Sequence, residues 1–527
     1  MSARRRAVRL SRRRFLSTAA ASSSLTLLGG ITKPHLSLAP ERPRITHGLQ
    51  SGDVSAGTAV VWARADRPAR MHVEVATTAG FRDVHDAVAI DALPETDCTA
   101  KALLEDLPAG QDIFYRIGFQ DLASPACLGE PQVGHFRTAP ADRRSVSFAW
   151  SGDSAGQGWG IDRARGGMRT YATMLREQPD FFIHCGDIIY ADCPIAAAVT
   201  LPDGQVWNNI VSEEKSKVAE TLAEFRGNYK YNLLDENLRA FNAEVPVLAL
   251  WDDHEVTDDW WPGQTIARKD YRERSALMLA ARGRRAFNEF MPVRETPAEA
   301  GRVYRKVAYG PLLDVFMLDL RSYRGANGDG GGEILNPNSQ VLGPKQLAWL
   351  KRELANSSAT WKVIAADLPI GLVSYDGIGQ GDGPPRGREL EIADLLAFIQ
   401  HARVDNVVWL TADVHYTAAH YYDPNAAVFH DFTPFWEFVS GPLHAGTGGP
   451  AELDNTFGPR VIYQCTAPVG SDNVAPCFGL QFFGHVAIDG RTEVMTVALK
   501  DVAGQTLWST DIGPAIRRPK LAAQHRG

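Results

Sequence analysis

The pattern of hydrophobic and polar positions along the chain changes near residue 140. Between His47 and Pro140, apolar and polar residues alternate with a period of two in short segments that turn residues separate. This alternation is typical of β-strands that bury one face, so we predict a small all-β sandwich of the immunoglobulin or fibronectin kind. The clearest predicted strands are Thr58–Arg64, Met71–Ala76, Ile113–Phe119 and Val133–Thr138.

From Val146 onward, apolar runs that end in Asp alternate with stretches of helical periodicity. That alternation predicts an α/β body. The stretch from Val461 to Ile512 returns to strand patterns. The predicted helical stretches are Gly166–Glu177, Glu214–Asn242, Arg268–Met291, Pro344–Asn356 and Glu389–His401.

Composition narrows the class of protein. The chain has 527 residues, 44% of them hydrophobic and 22% charged, which is typical of a globular protein of more than one domain. Residues 1–40 hold eight Arg or Lys and no acidic residue, so residues 41–527 hold 47 basic against 62 acidic groups. This acidic balance argues against a nucleic-acid-binding body.

The basic N-terminal segment has the features of an export signal. Its Arg-rich start precedes a run of small and apolar residues from Phe15 to Ile31 that is short for a membrane span. Residues 11–16, Ser-Arg-Arg-Arg-Phe-Leu, resemble a twin-arginine signal, which implies the twin-arginine translocase as an export partner and a periplasmic or secreted protein. The alternative is a basic tail followed by a surface helix. No later segment has 18 uninterrupted apolar residues, so we expect no stable membrane span.

The six cysteines are too few for a disulfide scaffold in a chain of this length. Cys98 with Cys127 and Cys465 with Cys477 are two open pairings, because sequence does not fix connectivity. The chain has no C-x-x-C motif, so a zinc ribbon has no support.

Acidic residues follow four apolar runs of the α/β body. In an open α/β sheet the carboxyl ends of the strands meet at one crevice, so we expect these side chains to converge. The alternative is that each Asp caps a helix or forms a turn. Converging carboxylates repel one another unless cations neutralise them, so the cluster predicts bound metal. The four residues are Asp153, Asp187, Asp253 and Asp413, with His254 and His415 beside two of them.

These motifs occur in an order that resembles the calcineurin-like metallophosphoesterases. Longer strings resemble the alkaline phosphatase D family within them, over about residues 46–512. The resemblance implies an αββα metallophosphoesterase sandwich behind the β-sandwich, and phosphate-ester hydrolysis with iron and calcium. The strings are His47-Gly-Leu-Gln-Ser-Gly-Asp, Gly186-Asp-Ile-Ile-Tyr, Trp251-Asp-Asp-His-Glu-Val-Thr-Asp-Asp-Trp, Leu318-Asp-Leu-Arg-Ser-Tyr-Arg and Leu342-Gly-Pro-Lys-Gln-Leu-Ala-Trp-Leu. The domains expected on this basis are an export signal at 1–40, the β-sandwich at 41–140, the catalytic domain at 141–515 and a C-terminal tail at 516–527.

The resemblance also suggests a metal-ligand set, and the residue chemistry agrees with it. Asp187 has two carboxylate oxygens and is expected to bridge two cations. Tyr190 offers a phenolate suited to ferric iron, or else it packs under the loop. Asp253 occupies the place of a bridging amide or carboxylate in related phosphoesterases. We expect Asp413 and His415, two residues apart on an extended segment, to point to the same side as ligands.

The remaining candidate residues are Asp153, His254, Arg321 and Arg324. Asp153 stands where some relatives of the family carry a Cys ligand, and a carboxylate is harder than a thiolate, so iron is less secure here. His254 is the candidate catalytic residue, as general acid or as stabiliser of phosphate charge. Arg321 and Arg324 fit either a phosphate or a buried ion pair. Residues expected to be structural are His184, Cys185, His420 and His444.

The expected function is therefore that of an exported, metal-dependent phosphoric ester hydrolase. A metal-activated water would attack phosphorus in line, and no organic cofactor is expected. The substrate is a small phosphate ester, and the first alternative is a phosphodiesterase or phospholipase D-like activity on the same site. A second alternative is a surface-binding protein whose metal site is vestigial.

Overall fold

A computed structural model describes residues 8–9, 42–295, 299–328 and 332–515. The predicted twin-arginine motif and the predicted C-terminal tail at 516–527 lie outside these residues. Among the helices that the structure describes, none has the length and the apolar character that crossing a membrane requires.

The N-terminal region is the predicted β-sandwich. Alternate residues of its strands, such as Val61, Val73 and Ile117, point inward and share one buried core. A five-stranded antiparallel sheet has the order β1 (Val8–Arg9), β5 (Val84–Ala92), β4 (Ala69–Ala76), β7 (Asp112–Asp121) and β8 (Gln132–Arg137). The facing strands are β2 (Ile45–Gly52), β3 (Ala59–Ala65) and β6 (Thr99–Leu104).

The facing strands of the sandwich continue into the first sheet of the α/β body. Strand β2 pairs in parallel with β13 (Val247–Leu250) through Gly52 and Val247. A Cβ on Gly52 would lie 2.5 Å from the carbonyl oxygen of Val247, so this close approach requires glycine. The nine-stranded sheet has the order β25 (Thr506–Ile512), β24 (Met495–Asp501), β23 (Phe482–Ile488), β9 (Val146–Ser151), β10 (Phe181–Cys185), β13 (Val247–Leu250), β2, β3 and β6.

A second sheet of seven strands packs on the nine-stranded sheet. Trp150 of β9 meets Phe438 of the second sheet, with ring centroids 6.4 Å apart, and both rings are fully buried. The seven-stranded sheet has the order β14 (Arg305–Tyr309), β15 (Leu313–Met317), β16 (Trp361–Ala365), β18 (Val407–Thr411), β20 (Phe435–Val439), β19 (Thr417–Tyr422) and β22 (Pro459–Cys465). Two small pairs complete the strands: β11 (Ala198–Thr200) with β12 (Val206–Asn208), and β17 (Leu372–Val373) with β21 (Glu452–Leu453).

Helices cover the outer faces of both sheets, which gives the predicted αββα layering. The predicted stretch Glu214–Asn242 is divided into two helices, because the Asp235 side chain accepts a hydrogen bond from the Leu238 amide and caps a new helix. The helices are α1 (Arg169–Glu177), α2 (Leu222–Asn232), α3 (Glu236–Glu244), α4 (Ala276–Phe290), α5 (Gly343–Asn356) and α6 (Glu389–His401).

All six cysteines are free thiols, so neither open disulfide pairing forms. Cys98 lies just before β6 of the nine-stranded sheet, whereas Cys127 lies in the connection between β7 and β8 of the other sheet. Cys465 ends strand β22, and Cys477 lies in a 3₁₀ turn that packs near Trp159 and Trp207. The two members of each pair thus belong to different structural elements.

Candidate metal centre

The carboxyl ends of strands from both sheets meet at one crevice. Asp153 and Asp187 follow the adjacent parallel strands β9 and β10, and Asp253 follows β13 on the other side of β10. Asp413 and His415 follow β18 of the facing sheet. The structure therefore brings the predicted residues together where parallel strands of an α/β fold place a ligand site.

The turns after these strands have a left-handed backbone. The φ angles are 69° at Asp153, 51° at Asp187, 66° at Asp413 and 56° at His415. Non-glycine residues adopt such angles at a cost, and clusters of them are typical of functional sites. Gly186 has φ 98°, and a Cβ there would lie 2.5 Å from the Cβ of Asp252. The chain thus uses constrained turns to direct side chains into the crevice.

The prediction of an extended segment at Asp413 and His415 is wrong. The left-handed backbone at both residues bends the chain, so the period-two alternation of a strand does not apply. The two side chains consequently join different groups, His415 with Asp153 and Asp187, and Asp413 with Asp252 and Asp253.

The first group consists of Asp153, Asp187 and His415, with one ligand atom from each within 4.8 Å of the others. His415 Nε2 lies 3.4 Å from Asp153 Oδ1 and 2.7 Å from the Tyr190 hydroxyl. Asp153 is 1% exposed, and neither of its carboxylate oxygens has a hydrogen-bond partner among the described residues. A buried carboxylate without a hydrogen bond is costly, and a bound cation would remove that cost.

Two further groups extend the cluster. Asp187, Asp253 and His254 form one, and Asp252, Asp253 and Asp413 form the other. Asp187 and Asp253 are therefore each shared by two of these three groups. Burial is the largest cause that raises the pKa of both Asp187 and Asp413, and the carboxylates of neighbouring Asp residues raise it further, whereas His254 lowers the pKa of Asp187. This arrangement of shared carboxylates fits more than one hard cation.

His254 is fixed at the edge of these groups by Asp192. Its Nδ1 lies 2.7 Å from Asp192 Oδ1, and its ring stacks on Tyr190 with centroids 4.2 Å apart. Asp192 also accepts hydrogen bonds from the Asp258 amide at 2.9 Å and from Arg268 at 3.0 Å. Burial lowers the pKa of His254, but the carboxylates of Asp192 and its neighbours raise it, and the net pKa lies well above the usual value. The Asp192 carboxylate therefore favours the protonated form of the imidazole.

Arg321 makes a buried ion-pair network beneath the acidic groups. Its guanidinium lies 2.6 Å from Asp252 and 2.7 Å from Asp376, and its side chain is fully buried. It lies 3.9 Å from Asp253 and 4.0 Å from Asp413. The ion-pair alternative is the one that the structure supports for Arg321, because solvent and substrate do not reach it.

Sequence reasoning missed four acidic residues of the site. Asp192 lies five positions after Asp187, and Asp252 directly precedes Asp253. Glu255 accepts hydrogen bonds from the amides of Ile188 and Asp252, and it thereby ties two strand ends together. Asp367 is fully buried, follows β16 and lies 3.4 Å from Arg321. Its position after an apolar strand was the available signal.

The four residues expected to be structural belong to none of the candidate ligand groups among the described residues. Cys185 is buried within β10 and belongs to none of the candidate ligand groups of the described residues. His420 contacts Glu437 at 3.2 Å, and His444 Nε2 lies 2.9 Å from the Gly160 carbonyl oxygen. His184 is buried near the Tyr171 hydroxyl, at 3.4 Å.

Two protein-family models match the chain. The model of the PhoD-like phosphatases matches residues 148–499, and that of the PhoD-like phosphatase N-terminal domain matches residues 31–140. The chain belongs to the PhoD-like phosphatase family. Alkaline phosphatase D of Bacillus subtilis (strain 168) is 28% identical to this family member over 400 residues, 70% of the chain. The aligned part spans 64% of that relative's length.

Solved structures share the fold of this PhoD-like phosphatase family member. A structure of PhoD covers 91% of this chain and 90% of its own, with a TM-score of 0.67 and 21% identity. A purple acid phosphatase from yellow lupin (Lupinus luteus) seeds covers 92% of this chain and 78% of its own, with a TM-score of 0.54 and 14% identity. These likenesses confirm the expected fold, a β-sandwich followed by an αββα metallophosphoesterase body.

Proposed function

We propose that this chain is a metal-dependent phosphoric ester hydrolase of the alkaline phosphatase D type. The observation that carries the proposal is the state of Asp153. Its carboxylate is buried without hydrogen bonds and lies beside Asp187 and His415. The Tyr190 hydroxyl lies 2.7 Å from His415 Nε2. Membership of the PhoD-like phosphatase family supports the reaction class.

The donor set fits hard cations, which we propose to be iron and calcium. Asp153, Asp187, His415 and Tyr190 would hold one ion, and a phenolate favours ferric iron. Burial and the nearby Asp carboxylates raise the pKa of Tyr190, so its phenolate form needs a cation beside it.

The carboxylates of Asp187, Asp252, Asp253 and Asp413 suit calcium, which prefers several oxygen ligands. Together the bound cations would supply Lewis-acid activation of water and of a phosphoryl oxygen.

The chain's own residues provide the proton and its positioning. We propose that His254 donates a proton from Nε2 to the leaving oxygen, because Nδ1 is engaged by Asp192. Asp192 is a positioning residue, held by the Asp258 amide and by Arg268. The stacked Tyr190 ring limits rotation of the imidazole.

We also propose export through the twin-arginine route, with the mature protein in the periplasm or secreted. The support is the order of a basic start, the Arg12-Arg13 pair and a run of small apolar residues. All six cysteines are free thiols, so folding of this protein does not require disulfide formation.

The test of the function is hydrolysis of a phosphomonoester and a phosphodiester by one preparation. We expect chelation and Asp187→Asn each to abolish activity on the preferred ester. Asp180→Asn is a matched control, because Asp180 lies just before the same strand and accepts a hydrogen bond from the Ser147 amide. Full activity of the chelated wild type would contradict the proposal, and the ratio of the two rates assigns the ester class.

A further inference from the structure

A second cavity lies outside the metal centre. It has a volume of about 210 Å³, and none of the candidate metal ligands lines it. Its apolar lining includes the Trp207 ring, Leu443 and Val502. The backbone amides of Leu443 and His444 donate hydrogen bonds to the carbonyl oxygens of Gly152 and Asp153, at 2.8 and 2.9 Å. The cavity is therefore separated from the metal centre by one layer of backbone.

The charged side chains that line this cavity are basic. Arg165 and Arg169 line it, and no acidic side chain does so among the described residues. Arg169 is exposed and makes no ion pair with the described part of the chain. The Arg165 guanidinium lies 5.7 Å from the centroid of the Trp207 ring. Arg165 is paired with Asp162 at 3.5 Å, so Arg169 is the guanidinium that attracts an anion.

The N-terminus of helix α1 lines the same cavity. Thr170 and Arg169, in the first turn of this nine-residue helix, line the cavity, and the N-cap residue Met168 offers no side-chain hydrogen bond to the helix. The Met168 amide donates a hydrogen bond to Asp235 Oδ2 at 3.0 Å, and the Arg169 amide donates one to the Gly167 carbonyl oxygen at 3.0 Å. These amides are engaged, so the Arg169 side chain and not the helix end is the anion-binding group.

A buried side chain at the cavity lacks a partner. Gln481 lines the cavity, is 2% exposed, and its Nε2 has no hydrogen-bond acceptor among the described residues. A buried amide donor without an acceptor is costly in a folded protein. An acceptor atom in the cavity would remove that cost.

We propose that this cavity binds a small organic anion, with an oxyanion group on Arg169 and Gln481 and an apolar body against Trp207. The volume is below that of a typical pocket for drug-sized ligands, so the ligand is about the size of an aryl carboxylate. Both halves of the ligand are needed, because the lining holds the polar Arg169 and Gln481 as well as the apolar Trp207.

The experiment is calorimetric titration of the full-length protein with benzoate. We expect the wild type to bind benzoate, and Arg169→Gln to weaken binding by about tenfold through loss of a charged hydrogen bond. Arg163→Gln is the matched control, because Arg163 is exposed in the neighbouring 3₁₀ turn and does not line the cavity. Benzyl alcohol, which lacks the charge, is expected not to bind.

A second variant separates binding from folding. Gln481→Leu removes an unpartnered donor, so we expect equal or higher thermal stability together with weaker benzoate binding. Three results would overturn the proposal: no binding of benzoate, equal binding by the wild type and Arg169→Gln, or equal binding of benzyl alcohol and benzoate. Binding at the metal centre alone would give the second of these results.

Discussion

The contact between Asp192 and His254 gives the sharpest mutational prediction. Asp192 is fully buried and lies 2.7 Å from His254 Nδ1. Asp192→Asn removes the charge that stabilises the imidazolium, while it keeps nearly the same volume. His254→Asn removes the proton donor itself. The two variants and their combination form a double-mutant cycle, which measures whether Asp192 acts through His254.

The magnitudes follow from the type of contact. Loss of a general acid lowers kcat by roughly 10²- to 10⁴-fold, which is the expectation for His254→Asn. A hydrogen bond to a charged group contributes about 1.5–3 kcal/mol, so Asp192→Asn should lower kcat by about 10- to 100-fold. The double variant should be no slower than His254→Asn, because Asp192 has no route to the reaction without the imidazole.

The assay is kcat on aryl phosphates whose leaving groups differ in pKa. Both single variants should lose least on the best leaving groups, which need least protonation. Asp270→Asn is the control, since Asp270 pairs with Arg268 at 2.8 Å, as Asp192 does, but does not contact His254. Additive losses in the double variant, or an equal loss on every leaving group, would refute a positioned general acid.

Two other outcomes test the structure around the site, and a third tests the export signal. Arg321→Met leaves buried carboxylates unpaired and should lower the free energy of unfolding by about 3–5 kcal/mol, against less than about 1 kcal/mol for the exposed Arg352→Met, measured by denaturant titration. Burial and neighbouring carboxylates raise the pKa of Asp187 and Asp413 above the unfolded value of about 4. The melting temperature of chelated protein should therefore fall as the pH rises from about 5 to 8, because these carboxyls ionise more readily in the unfolded chain. An unchanged melting temperature would contradict this. Arg12→Lys with Arg13→Lys should retain unprocessed protein in the cytoplasm, since an ammonium does not reproduce guanidinium geometry, and normal export would disprove the signal.

Much of the fold follows from local pattern. The helix predicted at Glu389–His401 has those bounds, and the strand predictions from Thr58 and Met71 agree with β3 and β4 to within a few residues. The continuation of the sandwich into the nine-stranded sheet was not predictable. It depends on the pairing of Gly52 with Val247, about 200 residues apart, and no local periodicity encodes which strands become neighbours.

The candidate site was predictable in its ligand types but not in its internal grouping. Strand-end Asp residues signal the crevice, because parallel strands present their carboxyl ends at one edge. The separation of Asp413 from His415 depends on the left-handed backbone at both residues. The residue types Asp and His do not by themselves predict that conformation. Asp192 was missed because its role arises from its contact with His254, and that contact exists only in the folded chain.

The most direct test of the central claim is elemental analysis of the purified protein with two variants. We predict bound metal, with iron and calcium, in the wild type and a marked loss in Asp153→Asn. Asp319→Asn should keep the metal, since Asp319 also lies beyond a strand end but accepts hydrogen bonds from Trp251 and from the Arg321 amide. A wild type that holds no metal and still hydrolyses phosphate esters at full rate would contradict the account.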